Sequence, residues 1–152
     1  MMLHCEDEHI LMLGEKDFPA NYVDFIHPDD YKILAEPTFE KIFHRRKFHN
    51  RLLIRISFKV DDRYIPITFI IDTGFPMFFY LCPKAKEIFE TRIEMDEFQT
   101  EFIKLPDGKR FTVDETPHIH HNVNIIGLMA LNYFGFSLID GEFEFERLPE
   151  YF

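Results

Sequence analysis

The chain has 152 residues, 46% of them hydrophobic, which suits one ordinary domain with a sizeable core and excludes wholesale disorder. Acidic residues outnumber basic ones by 27 to 17, for a formal charge of −10, and this excludes a general binder of nucleic-acid backbones. The acidic start from Met1 to Glu8 is unlike a secretory signal, no apolar run has membrane-span length, and Cys5 and Cys82 are too few for a disulfide framework. The expected setting is intracellular and cytoplasmic, with no membrane partner.

Residues 1–49 carry no clean alternation and are punctuated by Pro19, Pro28 and Pro37. His27-Pro28-Asp29-Asp30 before Tyr31 predicts a helix start, and Glu36 to Phe43, apolar at 39, 42 and 43, predicts a second short helix. This stretch reads as an N-terminal extension whose basic end, His44-Arg45-Arg46-Lys47, is a solvated strand or helix end. From residue 50 onward the pattern is β. Arg51 to Val60 is apolar at every even position, which predicts a half-buried strand with Arg51, Arg55, Ser57 and Lys59 on its wet face.

Asp61-Asp62-Arg63 makes a turn and Tyr64 to Ile71 a second strand. Pro83 to Phe89 reads as a short helix or turn, and Pro106-Asp107-Gly108 joins a hairpin between 100–105 and 109–114. Val123 to Ile126 is a short apolar strand, and Leu128 to Phe134 a helical stretch stopped by Gly135. A final hairpin turns at Asp140-Gly141 and carries Phe143 and Phe145. The 19 Phe and 6 Tyr, with no Trp, predict a Phe-packed core.

Ile70-Ile71-Asp72-Thr73-Gly74, at the exit of a hairpin strand, resembles the active-site loop of the aspartic proteases. Asn124-Ile125-Ile126-Gly127 is similar to the family's apolar-apolar-Gly segment, which packs beneath that loop, and Leu128 to Asp140 to its short helix and terminal strand. The order and spacing over residues 50–148 resemble the single-lobe, retropepsin-like members. The resemblance implies a mostly β fold, a closed β barrel with short helices, as a domain over 50–152 behind the extension. It implies that Asp72, Thr73 and Gly74 are catalytic, and that Ile126 and Gly127 support their loop. In such enzymes a water held between two carboxylates attacks the peptide carbonyl; one carboxylate is the base and the other the acid. Two close carboxylates share a proton because both cannot ionise cheaply.

One Asp-Thr-Gly occurs in 152 residues, so the second carboxylate must come from another copy in a C2 homodimer. Thr73 would bond across the dimer, and Phe143 and Phe145 of the terminal hairpin would staple the copies. The partners expected are a second copy and a peptide or protein ligand, with no cofactor and no metal. Phe75 and Pro76 stand where active members carry a small residue, and would line the peptide groove. Asp107 and Gly108 would tip a short charged flap, or the flap is reduced.

Two functions follow from these residues. One is a homodimeric aspartic endopeptidase favoured by mild acid; the other is a catalytically silent module of the same fold that dimerises or binds proteins, with Phe75 to Phe79 as a contact surface. His118, His120 and His121 lack cysteine or carboxylate companions at ligand spacing and read as a solvated loop rather than a zinc site. Cys82 reads as a small core residue.

Overall fold

Residues 4–5, 25–45, 50–89, 94–95, 101–117, 123–140 and 142–147 are described in a computed structural model of the chain, and they are mostly β with two short helices. The alternating run becomes β3 (Asn50–Val60), and the acidic turn returns it as β4 (Arg63–Ile71) in antiparallel register from Leu53↔Ile70 to Val60↔Arg63. Around this pair stand β2 (Phe39–Arg45), β5 (Phe79–Leu81), β6 (Glu94–Met95), β7 (Glu101–Lys104), β8 (Arg110–Glu115) and β9 (Ile125–Ile126). Their order is β2-β3-β4-β9-β5-β8-β7-β6. The sheet is mixed: β9 runs parallel to β4 and antiparallel to β5, and β5 runs parallel to β8.

A smaller sheet has the order β1-β10-β11, from β1 (His4–Cys5), β10 (Phe136–Ile139) and β11 (Glu142–Phe145). Helix α1 (Pro83–Phe89) follows β5, and α2 (Leu128–Phe134) follows β9 and ends at Gly135 in a left-handed turn. No helix of the described residues is long and apolar enough to cross a membrane.

Side chains alternate across β4. Ile65, Ile67, Phe69 and Ile71 enter the main core, where Phe58 meets Phe69, Phe79 and Phe89 edge-on at centroid distances of 5.7, 5.5 and 6.4 Å. Phe134, Phe136, Phe143 and Phe145 extend this core under α2 and the smaller sheet. Phenylalanine is thus used mainly for packing, as its abundance predicts.

Three expectations are corrected. The closed barrel is not formed among the described residues: the sheet is open, with β2 at one end and β6 at the other. The two N-terminal helices are also absent there. His27 to Tyr31 is a hydrogen-bonded turn that Tyr31 leaves with a φ of 70°, and residues 39–45 are strand β2, paired with β3 from Phe39↔Ile56 to Arg45↔Asn50. Apolar residues at 39, 42 and 43 suit either a helix or a strand, and the unpaired side of β3 decides between them.

The third correction concerns the wet face of β3. Arg51, Arg55 and Ser57 are buried and only Lys59 is exposed, because residues 25–42 cover that face. Thr38 donates its N–H to Ser57 Oγ at 2.7 Å, and Arg55 pairs with Glu40 and with Asp30 Oδ1 at 3.5 Å. Charges on a strand can be buried when a distant segment brings their partners. His118, His120 and His121, Gly141, and residues 46–49 of the basic run lie outside the described residues.

Candidate active site

Strand β9 is only two residues long, yet it separates β4 from β5 and continues the ladder into the Asp-Thr-Gly loop. Ile70 pairs with Ile125 and Ile71 with Ile126; the next amide, Asp72 N–H, donates to Ile126 O at 3.2 Å. Asp72 thus sits at the carboxyl end of β4 and is 2% exposed. Its Oδ1 accepts the Gly74 N–H at 2.8 Å, and its carbonyl accepts the Phe75 N–H at 3.4 Å, which curls the loop back on itself. Thr73 is half-buried beside it and Gly74 is exposed.

Gly127 then holds the loop from below. Its N–H donates to Phe78 O at 2.8 Å, the Leu128 N–H to Phe75 O at 2.7 Å, and the Met129 N–H to Pro76 O and Met77 O, each at 3.2 Å. The first turn of α2 therefore satisfies its free amides on the carbonyls of loop 75–77. A Cβ at Gly127 would lie 2.4 Å from Met77 O and 2.6 Å from Phe75 O, so only glycine fits this approach. Ile126 is fully buried in the main core.

Phe75 turns inward. Its ring meets Tyr80 edge-on at 5.0 Å and packs on a second core cluster of Phe25, Leu53, Ile70, Tyr80, Val123 and Ile125. Phe78 and Phe79 also face the core, against Phe111. Of the loop expected as an aromatic contact surface, Pro76 and Met77 are the exposed residues. Asp107 and Gly108 cap the β7–β8 turn, where Lys109 Nζ lies 5.0 Å from the Tyr133 ring centroid. That turn sits by the last turn of α2, whereas the Asp72 loop sits by the first, roughly 9 Å along the axis. Phe143 and Phe145, expected at a dimer contact, are 5% and 9% exposed and pack in the chain's own core.

Several supporting residues carried no signal in the sequence. Tyr80 accepts the Met77 N–H on its hydroxyl at 2.9 Å while its ring backs Phe75. Burial pushes the Tyr80 phenol up and the Met77 amide opposes this, with the Asp114 carboxylate adding to the rise. Asn124 clips three elements together: its side chain accepts the Cys82 N–H and donates to Tyr31 Oη, both at 2.8 Å, and its carbonyl accepts the Ile70 N–H at 2.8 Å. Cys82 is buried, as expected, with Sγ 3.6 Å from Tyr31 Oη.

On the outer face of β3 and β4, Asp30 receives Thr68 Oγ1 at 2.9 Å and the His27 N–H at 3.0 Å. Burial raises the Asp30 carboxyl above its ordinary range; these bonds and Arg55 pull it back in part. The signal that could have found this group is Arg55 itself, a charge between Ile54 and Ile56 in the middle of the strand. Among the described residues, no group of three or more His, Cys, Asp or Glu is arranged to hold a metal ion. No protein-family model, curated protein or solved structure matches the chain.

Proposed function

We propose that the chain is a retropepsin-like aspartic endopeptidase whose active form is a C2 homodimer, with one Asp72 from each copy. The observation that carries this reading is the threaded loop. A buried aspartate leaves β4, and an Ile-Ile-Gly strand inserted between β4 and β5 pins the loop through Gly127. This arrangement holds a carboxylate at a fixed point with its backbone bonds already made, which is what positioning a catalytic water requires.

In the proposed reaction a water lies between the two Asp72 carboxyls, which hold one proton between them. The ionised carboxylate takes a proton from the water as its oxygen attacks the peptide carbonyl, and the protonated one donates to the carbonyl oxygen. The resulting gem-diol then collapses. The carboxyl that took the water proton gives it to the departing nitrogen, and the other carboxylate takes a proton back from a gem-diol hydroxyl. This releases acid and amine and restores the singly protonated pair. Thr73 and Gly74 shape the loop, and Pro76 and Met77 line the approach. Mild acid favours the singly protonated pair.

The test is digestion of an unfolded protein between about pH 4 and pH 7, with sedimentation to follow association. Asp72→Asn should abolish cleavage while leaving the fold intact. A second reading, a silent binding module, is favoured by Phe75-Pro76 after the glycine; self-association without cleavage, unaltered in Asp72→Asn, would establish it instead.

A further inference from the structure

We propose that the segment around Phe25 occludes the Asp72 site within the same chain, its ring filling the apolar pocket that a large side chain of a bound polypeptide would enter. The inference rests on Asp72 as the reactive carboxylate and concerns how that site is regulated.

The path of the segment carries the argument. Leu34 and Tyr64 exchange backbone hydrogen bonds at 2.7 and 2.9 Å, and Tyr31 N–H donates to Pro66 O at 2.9 Å. Asp30 then meets Thr68 at 2.9 Å, and Phe25 packs with Ile70. Going backward along the segment, its contacts step forward along β4 through residues 64, 66, 68 and 70. Alternation places Asp72 next on that same face, since Ile71 points into the main core. The segment thus leads up to the catalytic residue.

Phe25 is 3% exposed and shares one core cluster with Leu53, Ile70, Tyr80, Val123 and Ile125, and Phe75 of the loop packs on the same cluster. Ile70 and Ile125 are the paired residues that precede the loop and its supporting glycine. The pocket is therefore built by the same elements that position Asp72, and it holds a benzyl ring. Asp72 itself is 2% exposed. The anchors at Asp30 and Tyr31 hold the cover in place: Asp30 through Thr68 and Arg55, Tyr31 through Asn124. A substrate able to displace it would offer an aromatic or large aliphatic side chain of its own.

The experiment uses the full chain, with Phe25→Ala, Phe25→Leu and Tyr31→Phe compared with the parent. Two readouts are taken: cleavage of unfolded casein at limiting substrate, and carbodiimide-amine labelling of Asp72 followed by mass spectrometry. Phe25→Ala should raise both by about tenfold, as expected when an open state held near one in ten becomes dominant. Phe25→Leu refills the pocket and should stay near the parent. Tyr31→Phe loosens the anchor without emptying the pocket and should raise both by about threefold, which keeps the test available if Phe25→Ala does not fold.

Unchanged Asp72 labelling in Phe25→Ala and Tyr31→Phe overturns the inference, whatever the cleavage result. Equal cleavage by parent and variants overturns it while the protease reading survives. Increased labelling with no cleavage by any variant leaves the occlusion standing and removes the protease reading.

Discussion

Replacing Gly127 with alanine probes the close approach on which the Asp72 loop rests. Gly127 has φ −95° and ψ 179°, a conformation open to any residue, so the whole effect must come from contact. The new Cβ would stand 2.4 Å from Met77 O, 2.6 Å from Phe75 O and 3.1 Å from Tyr80 Cε1, where ordinary contact begins at 3.4 Å. Two of these neighbours are backbone atoms, so the loop must retreat by roughly an ångström. That retreat stretches the bonds from the Gly127 and Leu128 amides to Phe78 and Phe75. Overpacking costs about 1–3 kcal/mol and weakened backbone bonds add a fraction of a kcal/mol each, for a total of about 3 kcal/mol.

With a urea dependence of about 2 kcal/mol/M, the unfolding midpoint should fall by about 1.5 M. Gly108→Ala is the control. Gly108 has φ 87° and open space around its position, so alanine there meets only the left-handed backbone penalty, about 1 kcal/mol or about 0.5 M. A Gly127→Ala shift no larger than that of Gly108→Ala would refute the close-approach argument.

Tyr80→Phe removes the acceptor for the Met77 amide and should cost about 1 kcal/mol, with faster hydrogen exchange at Met77 as the local signature. Asn124→Ala leaves the buried Cys82 amide without its acceptor and Tyr31 without its donor, and should cost about 2–3 kcal/mol by urea unfolding. Phe58→Ala empties the centre of the main core and should cost about 3–5 kcal/mol, read from the same transitions. Asp30 supplies a pH test. Its carboxyl is raised above the ordinary 3.8 by burial, so the folded chain holds this proton more tightly than the unfolded chain. Its contribution to stability is complete below pH 3.8 and is lost as pH rises through the raised value. Asp30→Asn should therefore flatten the fall of the urea midpoint with rising pH in mild acid; an unchanged slope contradicts the assignment.

The β3–β4 hairpin, both helices, the β7–β8 hairpin and the final hairpin were legible because alternation and turn residues act locally, whereas β5 and β6, three and two residues long, carry no such pattern. The strand at Val123 to Ile126 was legible as a short apolar run, but its place beneath the Asp72 loop was legible only through resemblance, since two apolar residues and a glycine do not name their neighbours. The N-terminal segment was misread as helical for the opposite reason. Phe39, Ile42 and Phe43 fit either period, and their partners on β3 lie some distance along the chain. Arg55 was placed in water because alternation describes one strand and says nothing of what later covers it. Phe75 was expected to line a groove, yet Tyr80 and Gly127 turn its ring inward, a contact between residues that no local pattern links.

The smaller sheet also governs how two copies can meet. β10 lies between β1, parallel at His4↔Ser137 and Cys5↔Leu138, and β11, antiparallel from Phe136↔Phe145 to Ile139↔Glu142. Both hydrogen-bonding rims of β10 are occupied by its own chain, which leaves β1 and β11 as the edges of this sheet among the described residues. Copies of the proposed dimer would meet against the mutual repulsion of two bodies each carrying −10. Such a contact strengthens with salt and comes apart on dilution, leaving each subunit folded.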